Sequence, residues 1–173
     1  MKRYRLFILI ILVGLCRSAF SEPVQLVSAK QLQVGCAIGL TKVVPKSVDV
    51  NVNSDIFDIA MTWQCGSEPP VAIDKFEAEG SGPEIVTVFY RKNQIVVLAR
   101  WLSKSSAADF QGYFYQVTAY DLNRNSKNIS FTKRNDITDA FGDGYDGVMD
   151  GKKVTFPYTN AQLVRRRLSE LGF

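Results

Sequence analysis

The chain contains no histidine among its 173 residues. This absence excludes the usual Ser-His-Asp and Cys-His nucleophile systems and zinc sites with histidine ligands. No glycine-rich phosphate loop of the Walker type is present either. A pair of carboxylates remains as a catalytic device, but the 17 acidic residues give no reason to single out one pair. We therefore expect a protein that is not an enzyme, with no catalytic residues, no metal and no cofactor.

The sequence also lacks a hydrophobic run long enough to span a membrane, which takes about 20 apolar residues. Its apolar run from Leu6 to Cys16 has eleven residues, follows a basic start and ends before Arg17. Small residues follow at Ala19 and Ser21, so residues 1–21 are predicted to be a signal peptide cleaved after Ser21. A lipoprotein acylated on Cys16 and an uncleaved anchor are the alternatives.

An excess of positive charge is absent from the predicted mature chain. The whole sequence has 21 basic and 17 acidic residues, and its first acidic residue is Glu22. Four basic residues belong to the signal peptide: Lys2, Arg3, Arg5 and Arg17. Their removal leaves 17 basic residues against 17 acidic residues. The mature chain is therefore neutral, which argues against nucleic-acid binding and against general attraction to anionic membranes. We expect no stable membrane insertion after cleavage.

Cysteines are few. Without Cys16 the mature chain keeps Cys36 and Cys65, so a single intramolecular disulfide is possible. Disulfides persist in oxidising compartments, which agrees with export. A bridge that encloses 28 residues is expected to stabilise the fold by about 3–4 kcal/mol. Two buried free thiols are the alternative, and Trp63 beside Cys65 is interpreted as core.

The mature segment 22–173 has the length of one domain, and its patterns predict a mainly β fold. Residues 48–53 alternate apolar and polar, as half-buried strands do. The segments 85–90 and 95–102 predict a hairpin around a polar turn, and 112–122 predicts a long aromatic strand. Together these signals predict an antiparallel meander or sandwich of seven to nine strands.

One helix is predicted at the C-terminus. Thr159 and Gln162 have the spacing of a capping box, and Gly172 is placed to end the helix. Apolar residues fall on one stripe at helical spacing: Ala161, Val164, Leu168 and Leu171.

The segment 136–151 has an unusual composition, with five aspartates and four glycines in sixteen residues. It is expected to be a loop, and three interpretations compete. The first is a solvated turn in which aspartate serves turn geometry. The second is a recognition loop that presents Asp143, Tyr145 and Asp146 to a basic cleft, a mixture typical of interfaces. The third is a calcium site, although the aspartate spacing is not that of an EF-hand. The candidate partner-binding residues are Asp139, Asp143, Tyr145, Asp146 and Asp150.

Three consecutive aromatic residues, Tyr113, Phe114 and Tyr115, lie on the long predicted strand. Their rings could line a ligand pocket. The alternative is two-sided packing, because successive side chains of a strand point to opposite faces.

The chain resembles small periplasmic immunity proteins, which protect bacteria from toxins injected into the periplasm. The resemblance lies in the signal peptide, the size, the one disulfide and the meander segments 86–90 and 115–122. The resemblance implies a periplasmic inhibitor that plugs the active site of a toxin or hydrolase, with a loop such as 139–150 in the cleft. Members of that group share no fixed inhibitory sequence, so no residue is transferred from it. A periplasmic or secreted ligand-binding module and an envelope assembly component are the alternative functions.

Overall fold

A computed structural model of the protein describes residues 25–44, 56–125 and 128–173. The predicted signal peptide, residues 1–21, and the strand predicted at 48–53 lie outside the described residues. Within these ranges the chain forms ten strands and two helices. Neither of the two described helices is long and apolar enough to cross a membrane.

The first four strands form a small antiparallel sheet in chain order. They are β1 (Gln25–Ser28), β2 (Cys36–Val43), β3 (Asp58–Cys65) and β4 (Val71–Phe76). The predicted disulfide between Cys36 and Cys65 is confirmed. It joins the first residue of β2 to the last residue of β3, which lie opposite each other in the ladder. The bond therefore fixes the register of this strand pair.

The other six strands form a large antiparallel sheet in the order β10-β9-β7-β6-β5, with β8 also paired to β7. They are β5 (Pro83–Arg91), β6 (Gln94–Ser105), β7 (Phe110–Arg124), β8 (Ile129–Lys133), β9 (Asp143–Met149) and β10 (Lys152–Val154). β7 has 15 residues, so its first half pairs with β9 and its second half with β8.

The large sheet is the middle layer of three. One face packs on the small sheet through a core that includes Ile38, Met61 and Trp63. The opposite face packs on the helices. In β6 the run from Ile95 to Ala99 is fully buried, with alternate side chains in the two cores. A continuous apolar run is typical of a strand that is covered on both faces.

Helices α1 (Asn135–Phe141) and α2 (Ala161–Glu170) form the third layer. Val164 and Leu168 of α2 are fully buried, as the stripe predicts. The predicted cap Thr159 is wrong by one residue: the side-chain oxygen of Asn160 accepts a hydrogen bond from the Leu163 N–H at 3.1 Å. Both residue types cap helices well, so composition alone does not separate them. Gly172 follows the helix with a φ of +80°.

The prediction of a mainly β antiparallel fold with a C-terminal helix is confirmed, whereas the loop expected at 136–151 is wrong. This segment forms α1, β9 and the turn before β10, so the described residues contain ten strands rather than seven to nine. Ile137 and Phe141 are four residues apart and therefore share one helix face. Both are buried against the large sheet, which explains why the helix forms.

Candidate functional site

One corner of the large sheet is less covered than its centre. We call residues 110–116 of β7 and 143–154 of the β9–β10 hairpin the sheet corner. Every residue of β9 and β10 is at least partly exposed, unlike the buried run of β6. The β9–β10 hairpin is thus accessible to another molecule, whereas Phe110 and Tyr115 of β7 are buried.

The five residues predicted to bind a partner do not share one loop. Asp139 is exposed on α1, Asp150 lies in the turn between β9 and β10, and the other three lie on β9. Because strand side chains alternate, Asp143 and Tyr145 lie on the face toward the small sheet. Asp146 lies on the face toward the helices. The sheet corner therefore brings together only Asp143 and Tyr145 on one face, with Asp146 behind them.

Tyr145 is an exposed aromatic residue with a fixed ring. It is 44% exposed, yet its ring centroid lies 4.9 Å from that of Phe110 and 5.2 Å from that of Phe114. The angle to the Phe110 ring is 69°, an edge-to-face contact of the kind that aromatic pairs prefer. Phe114 in turn packs against Trp101, with 5.9 Å between centroids. The Tyr145 side chain is therefore held in place by the core beneath it.

A glycine pair allows this arrangement. Gly112 of β7 and Gly147 of β9 lie directly opposite each other. A Cβ atom on Gly112 would overlap the Asp146 carbonyl oxygen and would lie 2.8 Å from Cζ of Phe110. A Cβ atom on Gly147 would overlap the Gln111 carbonyl oxygen. The two backbones approach more closely than side chains permit, and the Phe110 ring covers the gap.

Two hairpin tips meet at the end of the sheet corner. The turn between β9 and β10 has positive φ at Asp150 (49°) and Gly151 (70°), the geometry of a two-residue type I′ turn. The Asp150 N–H donates a hydrogen bond to the carbonyl oxygen of Asp109 at 3.2 Å, and Asp109 also has positive φ. The interpretation that aspartate serves turn geometry thus describes Asp150.

The aspartates of segment 136–151 are dispersed rather than clustered. Within the described ranges, Asp139, Asp143, Asp146 and Asp150 form no ion pair. In the same part of the chain, no three Asp, Glu or Cys side chains converge as metal ligands would. Asp139 lies on α1, whereas Asp143 and Asp146 lie on opposite faces of β9. The carboxylates are therefore separate negative charges.

The helix-side face of the sheet corner adds residues that composition did not single out. Leu102 of β6 is 44% exposed and Val148 of β9 is 48% exposed. Tyr113 lies on β7, the strand between them, and pairs with Leu102. The Arg100 guanidinium lies 4.3 Å from the Tyr113 ring centroid and binds both carboxylate oxygens of Glu84 at 2.8 and 2.9 Å. Only the register of four strands, β5, β6, β7 and β9, brings these residues together.

The aromatic triplet on β7 packs on both faces of the sheet, as the two-sided interpretation predicts. Phe114 contacts the small-sheet core, and Tyr113 and Tyr115 belong to the helix-side core. Tyr115 stacks on Phe156 with a centroid distance of 5.7 Å and an interplanar angle of 12°. These rings serve packing, so a ligand pocket at the triplet is not supported.

Comparisons with known proteins give no match to a family model, to a curated protein or to a solved structure. The resemblance to periplasmic immunity proteins therefore stays a prediction. The features of this chain that bear on function are the sheet corner and the disulfide.

Proposed function

We propose that the protein is an exported inhibitor of the immunity type, which binds one toxin or hydrolase and blocks its active site with the sheet corner. A single observation carries this proposal. Tyr145 is an exposed aromatic residue whose ring is fixed by Phe110 and Phe114 on an uncovered strand. Asp143 accompanies it on the same face and has no ion-pair partner among the described residues.

A fixed tyrosine is well suited to recognition. Tyrosine is enriched among the residues that contribute most to binding, and it supplies a large contact area at a low cost in conformational entropy. A ring that is already held in place loses little further freedom when a partner binds. The strand beneath Tyr145 positions it more precisely than the predicted loop would have done.

The β9–β10 hairpin has the features of a wedge. Asp143 and Tyr145 lie on one face, while Asp146 and Val148 lie on the other. A partner cleft that admits the hairpin would contact both faces, and a basic cleft would complement the carboxylates. Inhibition would be steric, so it requires one inhibitor for each partner and no chemistry by this chain.

Recognition through side chains is favoured over strand addition. β10 is the edge strand, has three residues and includes Lys152 and Lys153. Short edge strands with lysines resist pairing with another chain. The partner is therefore expected to grip the hairpin by its two faces rather than to extend the sheet.

The disulfide supports an oxidising compartment. Together with the predicted signal peptide, it supports the periplasm as the site of action, with secretion as the alternative. In that compartment a hydrolase of the cell wall or of lipids is the expected target.

The test is a pull-down with the tagged mature chain, residues 22–173, from an envelope extract of its own host, read by mass spectrometry. The wild-type chain is expected to capture one stoichiometric hydrolase or toxin. Asp143→Ala/Tyr145→Ala and Asp146→Ala/Val148→Ala are each expected to weaken the affinity about 30-fold or more, the loss typical of dominant interface residues. The matched control is Leu26→Ala, an exposed apolar residue on the small sheet.

Three outcomes separate the alternatives. If only one of the two double variants loses affinity, the partner docks on a single face of the hairpin, and the wedge is wrong. Unchanged affinity with both double variants, at an unchanged melting temperature, would remove the sheet corner from the interface. The absence of any protein partner would contradict the inhibitor proposal itself.

A further inference from the structure

A second feature lies at the open end of the sandwich, away from the sheet corner. There a cleft of about 270 Å³ separates the small sheet from β5. Its apolar lining consists of Leu40, Phe57, Ile59, Pro83 and Ile85, and its polar lining of Gln25, Lys42 and Glu84. The cleft has no lining residue on β7, β9 or β10, although its Glu84 pairs with Arg100 beside the sheet corner. The inference therefore rests on residues other than those that carry the proposed function.

Phe57 forms a fixed wall of the cleft. A Cβ atom on Gly82 would lie 2.5 Å from the Phe57 ring, so the ring lies directly on the Gly82 backbone. The Lys42 ammonium lies 4.1 Å from the centroid of the same ring, a cation–π contact. Glycine at position 82 therefore permits the close approach of the Phe57 ring to the chain just before β5.

The rim has one positive charge, on Lys42, that no described carboxylate pairs with. Lys42 is exposed and forms no ion pair in the described part of the chain. Glu84, the one acidic residue of the lining, is turned to Arg100, whose two nitrogens bind its two oxygens. The cleft thus combines an apolar floor, the exposed Lys42 ammonium and the Gln25 amide.

We propose that this cleft binds a small amphiphile with an aliphatic chain and an anionic head, in the class of free medium-chain carboxylates. The aliphatic chain would lie against Leu40, Ile59 and Ile85, because apolar surface gains from leaving water. The carboxylate would pair with Lys42 at the rim. The volume lies just below the 300–1,000 Å³ typical of ligand pockets, which favours a single short chain over a two-chain lipid.

The test measures binding of decanoate, below its micellar concentration, to the mature chain by calorimetric titration. Decanol is the matched probe with the same chain and no charge, and vesicles of an anionic lipid test for a membrane source. Saturable binding of decanoate at one site is expected, with weaker binding of decanol and none of vesicles. Binding of vesicles without monomeric decanoate would overturn the proposal in favour of a lipid surface.

Lys42→Gln separates the two halves of the site. It is expected to weaken decanoate binding about fivefold, the effect of one exposed ion pair, and to leave decanol binding unchanged. Phe57→Ala is expected to weaken both probes equally. Lys104→Gln, at an exposed lysine near the sheet corner, is the control and should change neither. Absence of saturable decanoate binding, or equal affinities for wild type and Lys42→Gln, would overturn the proposal and leave the pull-down result unaffected.

Discussion

Tyr90 links the two sheets through a partly buried hydroxyl. Its oxygen lies 3.5 Å from the carbonyl oxygen of Val27 on β1, and its ring packs against the small-sheet core. Burial raises the pKa of Tyr90 to about 12 from its ordinary value of 10.0. Burial also raises the pKa of Tyr120, whose hydroxyl donates to Asp74. Both phenols therefore resist ionisation in the folded chain.

The raised pKa predicts how stability depends on alkaline pH. The unfolded chain releases the Tyr90 proton near pH 10 and the folded chain only near pH 12, so the folded state binds more protons in that window. Its contribution to stability is complete below pH 10 and is lost as pH rises toward 12. Between pH 9 and pH 11 the melting temperature of Tyr90→Phe should therefore fall less than that of wild type. Tyr145→Phe is the exposed control, and equal losses for wild type and Tyr90→Phe would contradict this account.

The predicted site residues show how far single positions can be interpreted from the sequence. Tyr145 and Asp143 could be selected from the sequence because segment 136–151 combines acidic and aromatic residues with glycines, a mixture typical of interfaces. Their support did not stand out, because Phe110 and Phe114 precede Tyr145 by more than 30 residues. Only the register of β7 with β9 reveals that these rings meet.

The β7–β9 pair depends on its glycines, which gives a prediction for this element. Gly112→Ala should force the strands apart and cost about 3 kcal/mol, since a new side chain would meet backbone. It should also change the NMR signals of the Tyr145 ring and weaken partner binding. Gly35→Ala is the control: φ is +81° and no atom lies near its Cβ position, so about 1 kcal/mol of backbone strain is expected. Unchanged Tyr145 signals in Gly112→Ala would contradict the close approach.

Local patterns predicted most of the other elements. The 85–90 and 95–102 hairpin, the long strand after it and the C-terminal helix are all present, because each has its own periodicity and turn residues. β9 has few residues that favour strands and contains two glycines. Its formation depends on pairing with β7 and on the Phe110 ring above the glycine pair, and neither is encoded locally.

The disulfide sets a prediction for the whole molecule. It closes a sequence separation of 29 residues, so its removal should lower the free energy of unfolding by about 3–4 kcal/mol. Cys36→Ala/Cys65→Ala should show this loss in denaturant unfolding. Wild type in reductant should lose a similar amount, whereas reductant should not affect the double variant. Equal stability of wild type and the double variant would contradict a structural role for the bridge.

The three-layer arrangement was only partly predictable. The run from Ile95 to Ala99 is apolar without alternation, which is consistent with burial on both faces. It does not say which layer covers which face. That depends on where the small sheet and the helices dock. These contacts join residues that are far apart in the sequence, such as Trp63 and Phe131 or Phe89 and Arg165.

Under the proposed function, the sheet corner blocks a partner's active site. The most direct measurement is the activity of the captured hydrolase on its own substrate as the mature chain is added. We predict that activity falls to zero at one molar equivalent of wild-type chain and persists at that ratio with Asp143→Ala/Tyr145→Ala. Full activity of the hydrolase when it is saturated with wild-type chain would contradict the claim.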